Sequence, residues 1–145
     1  MKPIWVTPIS LDDVNHRARL GLSHHLHIEF TDVGPDHLTA RMPVGAFNQQ
    51  PMGSIHGGAT AALAETVGSV AGNYCVDQST SMCLGMELNI NHIRPIATGW
   101  VEATAKPLHL GKTTQIWDIK IYSHEKKLIA ASRLTTAIIK KALPD

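Results

Sequence analysis

The sequence predicts an α+β domain in which one long helix packs on one face of a curled antiparallel sheet of about six strands. Three observations carry that prediction. An alanine-rich stretch, 58–75, is the one strong helical signal past the amino-terminal region. Four strand-like stretches follow it at 82–93, 99–109, 113–123 and 128–139, and two shorter ones precede it at 26–31 and 37–44. No linker, internal repeat or low-complexity tract divides the 145 residues, so 1–145 reads as one domain, able to bury roughly 70% of its unfolded surface.

The first element is marked by Ser10-Leu11-Asp12-Asp13, a capping box, which predicts a short helix to Leu20, stopped by Gly21. The strand at 26–31 ends at the turn Asp32-Val33-Gly34-Pro35, and 37–44 is its hairpin partner. Residues 45–55 hold Gly, Pro, Gln and Asn without periodicity, a loop long enough to be functional. In the long helix Ala64, Gly68 and Gly72 recur every four residues. The glycines cost helix propensity, so close approach of another backbone is the expected compensation. In the first strand after it, Leu84, Met86, Leu88 and Ile90 alternate with Gly85, Glu87, Asn89 and Asn91, a half-buried pattern. Breaks at Arg94-Pro95, Gly111-Lys112 and His124-Glu125 predict antiparallel hairpins.

Composition narrows the function classes. The formal net charge is +1 and no Lys/Arg run exceeds the pairs Lys126-Lys127 and Lys140-Lys141, which gives no nucleic-acid footprint. The start lacks a signal-peptide core and no apolar run reaches bilayer length, so no membrane partner is expected. Cys75 and Cys83 have no metal-ligand spacing and read as reduced thiols of a cytoplasmic protein. Low charge leaves surface for subunit contacts.

The chemical signal lies between Arg41 and Asp77, where Glu65 is the only formally charged residue. A carboxylate among small apolar residues costs several kcal/mol to desolvate unless something pairs or uses it. About two helical turns earlier, His56-Gly57-Gly58 opens the helix, and free N–H groups there suit an oxyanion. An oxyanion site with a base or nucleophile points to acyl transfer. Gly57 and Glu65 are nevertheless roughly 12 Å apart along one helix, whereas one carbonyl needs both at about 3 Å. Two antiparallel copies place Gly57 of one beside Glu65 of the other, so the chemistry predicts a dimer with two shared sites. Ser69, at i+4, can orient the carboxylate or a water; Gln50 can position water or a carbonyl; His56 can donate to the thioester oxygen or fix the loop. Arg94 and Lys112 can meet phosphates, Lys112 within the Gly-containing turn His109-Leu110-Gly111-Lys112-Thr113.

Each of these residues alone has a plainer reading. A single buried Glu is as often a structural ion pair; Gly-Gly is commonly only a turn; His56 is a packed loop histidine; Arg94 and Lys112 are solvated charges; Asn89 and Asn91 are strand-face polar groups. His24-His25-x-His27 looks like a metal tract but has no carboxylate or Cys at ligand spacing, so no metal is expected. The weight rests on Gln50, His56-Gly57-Gly58 and Glu65 occurring together.

At these residues the chain resembles the hot-dog-fold acyl-CoA thioesterases of the phenylacetate-degradation type. The resemblance runs through Gln50-Pro51, His56-Gly57-Gly58, Leu63-Ala64-Glu65, Gly68-Ser69-Val70-Ala71-Gly72, Asn89-Ile90-Asn91-His92, Lys106-Pro107-Leu108-His109-Leu110-Gly111 and Ser132-Arg133-Leu134-Thr135, in order over nearly the whole chain. It implies a helix wrapped by sheet, dimers and dimers of dimers, and hydrolysis of an acyl- or aroyl-CoA, dihydroxynaphthoyl-CoA of menaquinone synthesis among the candidates. No cofactor is implied. On that pattern Glu65 is the catalytic carboxylate, Gly57 supplies the oxyanion N–H, His56 and Gln50 assist, and Ser69 comes from the Glu65-bearing chain. Gly85, His92, Arg94 and the turn His109, Leu110, Gly111, Lys112 and Thr113 would bind coenzyme A. The chain departs from the pattern at Met52-Gly53-Ser54, where close relatives usually carry Phe-Gly-Leu, near the acyl pocket. Two alternatives stay open: a carrier-protein thioester as substrate, and a non-catalytic acyl-CoA-binding module. A hot-dog dehydratase fits less well, since it would need a His/acid pair beside the acyl carbonyl.

Overall fold

The computed structural model describes residues 2–142; Met1 and 143–145, the ends of the expected domain, lie outside the described residues. Helix α1, Leu11–Ala18, starts where the capping box places it, with Ser10 Oγ accepting the Asp13 N–H at 3.2 Å. Gly21 does not end the helical region. It takes a left-handed φ of +62° and opens a second short helix, α2, Gly21–His25. His27 then turns the chain at φ 54°, and the strand expected at 26–31 begins later as β1, Glu29–Val33. Asn15 of α1 fixes that start, its side chain bonding both Phe30 N–H and Phe30 C=O. Strand β2, Leu38–Pro43, pairs with β1 as a hairpin.

Helix α3, Gly57–Tyr74, is the central element, followed by β3 (Ser81–His92), β4 (Trp100–Leu110), β5 (Thr114–Ser123) and β6 (Leu128–Lys140). The six strands form one antiparallel sheet in the order β1-β2-β4-β5-β6-β3. Hairpins join β4 to β5 and β5 to β6, as the breaks at 111–112 and 124–125 predict. The Arg94-Pro95 break is not a hairpin. Strand β3 pairs with β6 instead, so the 93–99 segment carries the chain across to β4.

The helix lies across the inner face of the sheet. Leu63, Val67 and Ala71 are fully buried against Leu38, Met42, Trp117, Ile119, Ile121 and Leu134. The small residues of α3 are explained by side chains rather than by a neighbouring backbone. A Cβ on Gly68 would come within 2.6 Å of Leu134 Cδ2, and one on Gly72 within 2.7 Å of Gln115 Oε1. The alternation expected in β3 also fails midway. A bulge between Gly85 and Glu87 shifts the register, leaving Leu84 and Met86 exposed while Cys83 is buried. Both cysteines are free; burial, with Cys83 nearby, pushes the Cys75 thiol up to about 12, so it stays protonated and unreactive. No helix among the described residues is long and apolar enough to cross a membrane.

Candidate active site

The helix begins at Gly57 because His56 caps it. His56 is extended (φ −69°, ψ 133°), and its Nδ1 accepts the Gly58 N–H at 2.8 Å. With Nδ1 used as an acceptor, the neutral ring carries its proton on Nε2, which is free to donate. Thr60, only 1% exposed, closes the first turn by donating to Gly57 C=O at 2.8 Å. Among the described residues the Gly57 N–H has no hydrogen-bond partner. It is an unpaired donor at the positive end of an 18-residue helix.

That donor opens on a cleft of about 320 Å³ lined by Gln50, Ser54, Gly57, Thr60, His92 and Arg94. The Gln50 amide is held within its own loop: Nε2 donates to Ser54 Oγ at 2.7 Å and Oε1 accepts the Met52 N–H. His92 packs directly over Gly57, close enough that a Cβ there would be 2.9 Å from its Nε2. Its Nδ1 is 3.4 Å from Thr60 Oγ1, whose proton already goes to Gly57 C=O. Thr60 was not singled out in the sequence; its place three residues after Gly57, in the first helical turn, was the available signal.

Glu65 lies two turns along α3, half-buried, with Oε1 accepting from Ser69 Oγ at 2.8 Å. The facing residue is Gly85 of β3, and a Cβ at that position would collide with Glu65 Oε1. Gly85 therefore makes room for the carboxylate. Asn73, one further turn on, bonds Ser69 C=O and both Cys83 N–H and C=O, tying β3 to this part of α3.

The two groups of cations do not meet within one chain. Arg94 Nη1 donates to Leu128 C=O, and its backbone N–H bonds Ile129 C=O. The other group is the His109–Thr113 turn, where Gly111 N–H donates to Thr114 C=O and Thr113 C=O accepts from Ile138 N–H. Ile129 and Ile138 are far apart on β6, about 30 Å of extended strand. The pairing shows which ends match. His92, beside Gly57, is opposite Ala130, whereas Gly85, beside Glu65, is opposite Thr136, level with the turn. Gln50, His56, Gly57, His92 and Arg94 thus lie toward one end of the molecule, and Glu65, Ser69, Gly85 and the 109–113 turn lie toward the other. The histidine tract at 24–27 lies on α2 and its exit turn. Among the described residues no three His, Cys, Asp or Glu side chains are grouped to hold a metal.

Comparison with known proteins gives the family. The Thioesterase superfamily profile matches residues 52–130, the stretch from the Gln50 loop to the start of β6. The 1,4-dihydroxy-2-naphthoyl-CoA hydrolase of Escherichia coli is 42% identical over 136 residues, covering 94% of this chain and 99% of that protein. The proofreading thioesterase EntH of Cronobacter turicensis is 41% identical, covering 94% and 98%. The crystal structure of the thioesterase HI1161 from Haemophilus influenzae superposes with a TM-score of 0.91 at 39% identity, covering 94% of this chain and 95% of that one. With this profile match, these relatives over 94% of its length and a six-stranded sheet wrapped on α3, the chain is a hot-dog thioester hydrolase and belongs to the thioesterase superfamily.

Proposed function

We propose that the chain hydrolyses acyl- or aroyl-CoA thioesters at a site completed by two copies of itself. The observation that carries this reading is the separation of the unpaired Gly57 N–H from the Glu65 carboxylate along one helix. In the proposed reaction the thioester carbonyl accepts the Gly57 N–H, and the α3 amino terminus stabilises the oxyanion as it forms. Glu65 of the second copy either removes a proton from water, which adds to the carbonyl, or attacks the carbonyl itself to give an anhydride that water opens. In both routes the C–S bond breaks, the thiolate leaves and takes a proton, and acid and CoA are released. Water is the only co-reactant, with no metal or prosthetic group. Gln50 and the His56 Nε2–H steer the carbonyl and water, and Ser69 holds the carboxylate.

The free edge of the sheet supports the dimer. Strand β3 has no outer partner among the described residues, and Leu84 and Met86 on it are 47% and 64% exposed. Antiparallel pairing of β3 with a second β3, Gly85 facing His92, brings each Glu65 to the other copy's Gly57. It also brings the 109–113 turn toward the other copy's Arg94, so the two cation groups flank one nucleotide. A dimer of dimers is the further expectation, in a cytoplasmic protein. The identity to the Escherichia coli hydrolase makes 1,4-dihydroxy-2-naphthoyl-CoA the first substrate to try. The identity to a proofreading thioesterase favours a carrier-protein thioester as the second reading. Free-thiol release, measured on an acyl-CoA panel and on acylated carrier protein, separates the two. Thioester binding without thiol release from any of them would leave only a binding module.

A further inference from the structure

The loop before the His56 cap is closed by its backbone alone. Gln50 N–H donates to Ser54 C=O at 2.8 Å, and Gly53 N–H donates to Gln50 C=O at 2.9 Å. Gly53 takes the left-handed φ of +86° that so tight a turn demands. Gln49 and Ile55 then form an antiparallel bridge, and His56 N–H donates to Asn48 C=O at 2.8 Å. The backbone of Gln50 is thereby tied to the residues that lead into Gly57, and Gln50 and Gly57 line the same cleft.

The Gln50 side chain makes two further bonds that this closed turn does not need. Oε1 accepts the Met52 N–H, and Nε2 donates to Ser54 Oγ at 2.7 Å. A backbone N–H can only donate, so the amide cannot reverse without setting its NH2 group against the Met52 N–H. Met52 thus fixes which end of the amide is which, and Ser54 Oγ fixes where the NH2 end lies. One hydrogen of that group goes to Ser54; the second has no partner among the described residues. Ser54 lines the cleft together with Gln50 and Gly57.

We infer that Ser54 is a positioning residue, holding the Gln50 amide as a hydrogen-bond donor of fixed polarity beside the Gly57 N–H. The inference rests on the hydrolase reading above. A glutamine amide left free in an open cleft can present either its oxygen or its nitrogen. Held by Ser54, it presents an N–H, which suits a carbonyl oxygen gathering negative charge better than a water about to lose a proton. That bond is strongest in the transition state, where the oxygen is most negative, so its loss should appear in kcat.

The test is kcat and KM for the fastest acyl-CoA of the panel, on the wild type, Ser54→Ala, Ser54→Thr, Gln50→Ala and the Gln50→Ala/Ser54→Ala double variant. It is paired with calorimetric binding of a non-hydrolysable ketone analogue of benzoyl-CoA to the same proteins. Ser54→Ala removes the hydroxyl but no backbone bond of the turn, so the melting temperature should be unchanged. In Ser54→Ala kcat should fall about 10-fold with KM within about 2-fold, and Ser54→Thr, which keeps the hydroxyl, should regain most of that loss. In the Gln50→Ala background the Ser54→Ala change should have no further effect, since no amide is left to position. An equal loss with and without Gln50, or a Ser54→Ala protein as fast as the wild type, overturns the positioning role while hydrolysis stands. A wild type that releases no thiol from any thioester overturns the hydrolase reading instead. The role of Ser54 is then decided by the analogue, whose binding Ser54→Ala must weaken only when Gln50 is present.

Discussion

At the amino end of α3, Gly57 offers the cleft a bare backbone N–H, whereas two turns on Glu65 offers a carboxylate engaged by Ser69 and faced by Gly85. The first group is a donor that the helix cannot use, held in place by the His56 cap. The second is an acceptor given space by the absence of a side chain on β3. Each has what the other lacks, and the rigidity of α3 prevents them from meeting in one chain. On the proposed reading, the reaction centre is divided between these two positions and a second copy of the chain is needed to reunite them.

Removing the acceptor is the sharpest way to break that comparison. Glu65→Gln keeps the shape and the bond from Ser69 but cannot take a proton or attack, so kcat should fall about 10³-fold with unchanged circular dichroism. Displacing the carboxylate without removing it is the next largest change. Gly85→Ala places a methyl where Glu65 Oε1 now lies, and misplacement on that scale should lower kcat/KM by about 100-fold. Steady-state rates on the folded variant check both.

The donor end can be divided into capping and chemistry. His56→Ala removes the acceptor for the Gly58 N–H and should cost about 1 kcal/mol of stability in denaturant melts, together with activity. His56→Asn, a good cap without an imidazole Nε2–H, should regain the stability and not the rate. Smaller again are the nucleotide contacts. Arg94→Ala and Lys112→Ala should each raise KM for a CoA thioester several-fold with kcat little changed, and have less effect on a truncated thioester without the nucleotide. Equal losses on both substrates would remove those cations from the nucleotide.

The smallest expected effect lies away from both ends of the comparison and serves as its control. His37 places Nδ1 at 3.0 Å from Asp36 and Nε2 at 2.8 Å from Asp32, so only the doubly protonated ring can donate to both. The Asp36 hydrogen bond, followed by Asp32, raises the His37 pKa against the opposing effect of burial. A raised folded-state value means that the stabilisation is complete below the ordinary histidine range and is lost as pH rises through the raised value. The melting-temperature difference between wild type and His37→Gln should therefore shrink from mildly acidic to mildly alkaline pH. The groups are partly exposed, so the whole effect should be small.

How much of this the sequence discloses depends on the range of the interaction. The isolation of Glu65 and the His56-Gly57-Gly58 cap are local, and both were legible, as were α3 and the strands after it to within a residue or two. Helix α2 was not, because five residues carry no periodicity and Leu26, Ile28 and Phe30 mimic a strand. The β3 bulge was not, because one extra residue at an edge leaves the alternating pattern in the sequence unchanged. The break at Arg94-Pro95 reads as a hairpin because a proline after a strand marks a turn without naming the strand's partner. Strand β3 joins the sheet beside β6 and not beside β4, a long-range choice with no local signal.

The shared site has a direct test in subunit complementation. Gly57→Pro removes the oxyanion N–H, while proline suits the first helical position and the extended His56 before it, so α3 should persist. Glu65→Gln and Gly57→Pro proteins, each inactive alone, are mixed under conditions that exchange subunits, and thiol release is measured. One intact site per mixed dimer should restore about a quarter of the wild-type rate at equal proportions. Folded, exchanging subunits whose mixture stays inactive would contradict a site built from Gly57 of one copy and Glu65 of the other.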